Sequence, residues 1–198
     1  ELILLFRINS TSFENGVQLQ VVQWTYALFP ESTGTLNIPS QMFTASIGVP
    51  DPFDSFFNRN SAPSRRVVAR TASTTLEVLP PATDAEHPQW FAAKDVKIAS
   101  SWLGNSAQIR VGKPITRSIT IQATGQRAAA IPDPEISSGA FKSYPDQPQL
   151  EETTSRENVV GVLRNSIALV ASQAGELEIP EVRLPWWDSS AGIWRDAV

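Results

Sequence analysis

The one histidine of the chain, His87, lies in the run Pro80-Pro81-Ala82-Thr83-Asp84-Ala85-Glu86-His87-Pro88. Imidazole suits general acid–base work near neutral pH, but it needs a rigid scaffold and reach to a reacting proton. A polar run bounded by prolines offers neither, and no G-x-S-x-G elbow accompanies it, so His87 reads as a solvated linker residue. The carboxylates give no better start. Glu151-Glu152 and the pair Glu176 and Glu178 fall at turns or on strands, where acidic side chains form a solvated face rather than a glycosidase pair. With no cysteine in the chain, disulfides, thiolate nucleophiles and Cys-ligated zinc are all excluded. No H-E-x-x-H, calcium-loop or P-loop spacing occurs, so neither a metal nor a cofactor is expected, and the chain does not read as an enzyme.

The remaining candidates bind rather than react. Leu184-Pro185-Trp186-Trp187-Asp188 is followed by Trp194 across a predicted hairpin turn at 189–192. Neighbouring residues on a strand point to opposite faces, so only one of Trp186 and Trp187 can enter a core. The other is a candidate anchor for a partner, which makes Pro185, Trp186, Trp187, Asp188 and Trp194 candidate partner-binding residues. Phe53, Phe56 and Phe57 form a second candidate patch. They lie in a stretch, 47–66, so rich in Pro, Gly and Asn that it predicts an irregular loop.

The elements that must position these residues are strands. Val22, Trp24, Tyr26 and Leu28 alternate with polar or small neighbours, as do Ile115, Ile119, Ile121 and Ala123, and Leu163, Ile167 and Leu169 share one phase. Glu14-Asn15-Gly16 predicts a tight hairpin before the first of these. No window shows a helical period, and 15 prolines and 10 glycines punctuate the strand-like runs. Prolines between Pro132 and Pro148 leave room only for short or edge strands. The pattern predicts an all-β protein of tandem immunoglobulin-like or fibronectin-like β-sandwich domains. A net charge of -4 supplies no basic surface for nucleic acid, and no apolar run is long enough to span a bilayer.

An internal repeat bears on organisation. Aligning Ala27–Pro39 with Ala168–Pro180 gives identity at six of thirteen positions, including Gly34 with Gly175 and Pro39 with Pro180. Two modules follow: 1–80, a proline-rich linker at 81–89, and 90–198. In place of the long segment between Ala123 and Val159, the first copy has only a short turn, so that module reads as reduced or incomplete. The last strand of the second copy, Ile193 to Val198, reads as cut short. Leu177 and Ile179 are out of phase with Val182, Leu184 and Trp186, which predicts a strand re-aimed by a bulge at Pro180. Leu184–Asp188 has no matching residues at the aligned positions Phe43–Ile47.

Several strings carry a family resemblance: residues 27–39 (ALFPESTGTLNIP), 76–81 (LEVLPP), 111–117 (VGKPITR), 144–148 (YPDQP) and 178–188 (EIPEVRLPWWD). Together, in collinear order over nearly the whole chain, they resemble the BatD family, the oxygen-tolerance proteins of bacterial aerotolerance operons. That resemblance implies the periplasmic part of a protein anchored in the inner membrane, with signal peptide and membrane helix outside this chain. It implies a non-catalytic scaffold whose partners are von Willebrand A-type domain proteins of the same operon. The alternative expectation is a carbohydrate-binding or adhesive β module, with Trp187 and Trp194 stacking on sugar rings.

Overall fold

The computed structural model describes residues 1–14, 16–48, 64–84, 86–104, 109–134, 139–179 and 181–198. The protein is all-β: the described residues form fourteen strands and one short 3-10 turn, Ala128–Ala130. No helix among them is long and apolar enough to cross a membrane. The chain divides into two compact units, one of Glu1–Phe29 with Pro81–Val198 and one of Pro30–Pro80. Glu1–Phe29 groups with the C-terminal part.

In the larger unit, β1 (Leu2–Glu14) and β2 (Val17–Leu28) form a long antiparallel hairpin, with Leu2 opposite Leu28 and Phe13 opposite Gln18. Gly16, at φ 79°, supplies the left-handed residue that the tight turn requires. The register shifts between Leu4 and Phe6, so Leu5 is an extra residue. Without that bulge Leu2, Leu4, Phe6 and Ile8 would share a face; with it, Leu2 and Leu4 join Arg7, while Ile3, Phe6 and Ile8 take the other. The predicted phase of Val22, Trp24 and Tyr26 is observed, but all three are exposed rather than half-buried.

The rest of this unit consists of β7 (Ala92–Ala93), β8 (Asp95–Leu103), β9 (Pro114–Thr124), β10 (Phe141–Pro145), β11 (Gln149–Thr154), β12 (Val159–Ala171), β13 (Leu184–Asp188) and β14 (Ile193–Ala197). Strands run β10-β12-β9-β8 in a five-stranded sheet, β11 also pairing with β12, and β14-β13-β7 in a three-stranded one. Pro145 and Pro148 produce the two short strands along one edge of β12, with the Asp146 amide donating to the Ser166 carbonyl between them at 2.8 Å. The inward faces of the two sheets share one core. Ile115, Ile119, Ile121 and Ala123 of β9, and Leu163, Ile167, Leu169 and Ala171 of β12, lie in it with Phe91, Val182, Leu184, Trp186 and Ala197. Two facing sheets around one apolar layer are consistent with a β-sandwich.

Two polar residues interrupt that face, Arg117 and Asn165. The Arg117 guanidinium lies 5.3 Å from the Trp102 ring centre and donates to the Ser100 hydroxyl at 3.3 Å, beside a cavity of about 140 Å³ that Glu181 also lines. Burial lowers the Arg117 pKa, opposed by the charge of Glu181.

The smaller unit is two antiparallel pairs: β3 (Gly34–Ile38) with β6 (Thr74–Val78), and β4 (Met42–Gly48) with β5 (Ser64–Arg70). Where Pro39 stops β3, Thr71 pins the break: its hydroxyl accepts from the Gln41 amide at 2.9 Å and its carbonyl from the Ser40 hydroxyl at 2.6 Å. None of its described side chains is fully buried. The repeat is thus conserved in residues more than in shape. Gly34–Ile38 is a strand, whereas Gly175–Ile179 is not, and the strand predicted over that second copy is absent. Leu177 and Ile179 instead lie half-buried against the core. Pro180, where a bulge was expected, lies outside the described residues.

Candidate functional site

The strand pair β13–β14 separates the predicted binding residues by face, as the period of two requires. Trp186 points inward and is buried. Trp187 points outward, directly opposite Trp194 in the antiparallel register. Pro185 is exposed on the same strand and borders a groove of about 250 Å³ with His87, Pro88, Phe91 and Pro132. Phe53, Phe56 and Phe57 lie outside the described residues.

Four rings meet on the outer face. Trp187 and Trp194 have centroids 5.8 Å apart, and Trp90 approaches each of them at 5.8 and 5.9 Å, with near-perpendicular planes to Trp194. His87 lies flat on Trp194, 4.2 Å away with 8° between the planes. The Trp194 indole N–H donates to the Ala82 carbonyl at 3.0 Å. Edge-to-face and stacked aromatic pairs each contribute about 0.5–1.5 kcal/mol beyond the area they bury.

The expectation of a solvated His87 is therefore corrected. The imidazole is half-buried, and the segment before it is folded by Asp84. That carboxylate accepts the Glu86 and His87 amides at 2.9 and 2.7 Å and contacts the His87 ring at 2.9 Å. The His87 amide bond is the largest cause holding the Asp84 carboxyl below its ordinary value. Sequence showed Trp187 and Trp194 as neighbours; Trp90 and His87 come from a distant part of the chain, and only their clustering near one linker hinted at a role.

Asp188 holds the turn. Its carboxylate accepts the Ser190 and Ala191 amides at 2.9 and 3.0 Å and pairs with Arg195 at 2.7 Å. β13 is docked to β7 through Trp187 N–H to Phe91 carbonyl at 2.8 Å and Ser189 N–H to Ala93 carbonyl at 2.9 Å. The bond from the Ala191 amide, with those from Arg195 and Ser190, outweighs burial and holds the Asp188 carboxyl below 3.8. The stabilisation from this ionised group is complete above the ordinary carboxylate range. It is lost as pH falls through the lowered folded value. Asp188→Asn is expected to flatten the acid limb of a plot of melting temperature against pH, while leaving its neutral-to-alkaline part parallel to wild type. An unchanged acid limb would show that Asp188 does not contribute to it.

No family model, curated protein or solved structure matches the chain. What the site can do must be read from its geometry. Trp194 is stacked on His87 and meets Trp90 and Trp187 with steeply inclined planes. Among the described residues no group of three His, Asp or Glu side chains is placed to hold a metal. On β11, in the five-stranded sheet, the carboxylates that the sequence singles out are held by arginines: Glu151 by Arg164, and Glu152 by Arg127 at 3.2 Å, Arg127 also pairing with Glu1. The cluster joins the 81–90 segment to the outer face of the three-stranded sheet, and Trp90 is its most open ring, 40% exposed.

A row of exposed apolar side chains lies elsewhere in the same unit. Leu2, Leu4, Phe13, Val22, Trp24 and Tyr26 all stand open on one face of the β1–β2 hairpin.

Proposed function

We propose that the chain is a non-catalytic scaffold that binds protein partners, built from immunoglobulin-like or fibronectin-like modules in tandem. Its resemblance to the BatD family makes it the periplasmic part of a protein held at the bacterial inner membrane by a segment outside this chain. The same resemblance makes von Willebrand A-type proteins its partners. The observation that supports binding most directly is the open apolar face of β1–β2, because exposing large side chains on a sheet without cover is unfavourable at about 25 cal/mol per Å².

Affinity capture tests this reading with the purified chain and a purified von Willebrand A-type protein from the same operon. Retention is expected with wild type, weakened about tenfold or more by Trp24→Ser together with Tyr26→Ser. No retention by wild type, or equal retention by the double variant and by Trp187→Ala, would count against it.

A further inference from the structure

The β1–β2 hairpin and the β9–β12 pair are both antiparallel, and the 141-residue offset of the Ala27–Pro39 repeat lets their registers be compared residue by residue. Adding 141 to Leu28, Tyr26, Trp24 and Val22 gives Leu169, Ile167, Asn165 and Leu163. Their cross-strand partners are Leu2, Leu4, Arg7 and Asn9 in the hairpin, and Ile115, Arg117, Ile119 and Ile121 in the second pair. The aligned residues of the second pair form the inward face beneath the three-stranded sheet and are 0–9% exposed. On the hairpin, Leu2, Leu4, Val22, Trp24 and Tyr26 are 46–60% exposed.

We infer that this hairpin face is a core face awaiting cover, and that its occupant is an apolar β-sheet of a partner protein. The inference rests on the scaffold reading and specifies its surface. The chemistry of the occupant follows from the buried copy. There β13 and β14 present Leu184, Trp186 and Ala197, one apolar residue at every second position, over β9 and β12. A partner sheet must do the same to meet alternating side chains on a pleated surface. Each face carries one arginine: Arg7 stands where Ile119 does, its guanidinium 5.7 Å from the Trp24 ring centre, and Arg117 of the buried face stands where Leu4 does, with Glu181 lining the same cavity. The partner sheet should therefore carry a carboxylate opposite Arg7, since an unpaired cation would be costly to cover.

Because the chain has no cysteine, Val22→Cys places one environment-sensitive fluorophore on this face of the full chain, and Gln23→Cys places it on the opposite face. The titrant is a synthetic peptide of residues 181–198, the strand pair that covers the buried copy. A saturable blue shift is expected at Val22→Cys, about tenfold weaker with a peptide carrying Leu184→Ser and Trp186→Ser, and none at Gln23→Cys. No saturable shift up to millimolar peptide, or equal shifts on the two faces, overturns the inference. Concentration-dependent dimerisation of the free chain that Tyr26→Asp abolishes also overturns it, by assigning the face to a second copy. Peptide binding without retention of a von Willebrand A-type protein supports the face and removes the scaffold reading. Retention unaffected by Tyr26→Asp does the reverse.

Discussion

Gly161→Ala is expected to destabilise the two-sheet unit by about 3 kcal/mol, lowering its melting temperature by roughly 10–20 °C. Gly161 is in β12, opposite Ala123, and its backbone does not need glycine's conformational freedom. Space makes the demand. A Cβ built there would sit 2.4 Å from the Ala128 nitrogen, 2.6 Å from the Arg127 carbonyl carbon and 2.8 Å from the Ala128 Cα. All three atoms are backbone, two in the short turn Ala128–Ala130 and one in Arg127 that precedes it, so no side-chain rotation relieves the overlap. The turn is also held to this place, by a bridge between Gln126 and Val160 and by the Gly125 amide donating to the Val159 carbonyl at 2.7 Å. Either the turn or β12 must shift, and β12 carries Leu163, Ile167 and Leu169 into the core. Gly139→Ala is the control, because nothing lies within 4 Å of its Cβ position. Thermal melts followed in the near-ultraviolet should separate the two variants. A Gly161→Ala protein melting with wild type would show that the turn yields freely.

Nothing in the residues around Gly161 announces that constraint, which shows where a sequence stops being legible. Alternation in β9 and β12 could be read directly, because a strand with one face on a core must repeat with a period of two. Periodicity reports facing, however, and not cover. Val22, Trp24 and Tyr26 show the same pattern as Leu163, Ile167 and Leu169, yet one set is exposed and the other buried, since burial depends on a second sheet that no local signal encodes. The repeat misled in both directions. Gly34–Ile38 has β6 to pair with and becomes a strand; Gly175–Ile179 has no ladder partner among the described residues and does not. Conversely, Phe43–Ile47 shares no residue with Leu184–Asp188 at aligned positions, but both are strands of antiparallel pairs, β4 with β5 and β13 with β14. Strand formation here follows the availability of a partner edge more closely than it follows identity. The aromatic site was half legible for the same reason: cross-strand neighbours can be inferred from one hairpin, whereas the arrival of His87 and Trp90 depends on how a distant segment folds back.

The adjacent tryptophans of β13 should separate in stability by several-fold. Trp186→Ala is expected to cost about 3–5 kcal/mol, the range for removing a large aromatic from a core. Its ring is 5% exposed and belongs to the cluster that joins the three-stranded sheet to β9 and β12, so its loss opens a cavity between the sheets that fixed strands cannot fill. Trp187→Ala removes ring contacts with Trp90 and Trp194 on a solvent-facing surface, and a cost of about 1–2 kcal/mol is expected. The second variant should have a distinct local signature. Without Trp187, Trp194 loses one edge-to-face neighbour but keeps His87 and its bond to the Ala82 carbonyl, so amide exchange should quicken around 84–90 while β9 and β12 stay protected. Trp186→Ala should instead raise exchange in β9, β12 and β13 together, because all three share the layer it fills. Chemical denaturation with exchange mapped by mass spectrometry measures both quantities. Equal stability losses, or protection lost in β9 for Trp187→Ala, would mean that the outer cluster supports the core directly. A loss confined to 84–90 would assign the outer tryptophans to holding that segment.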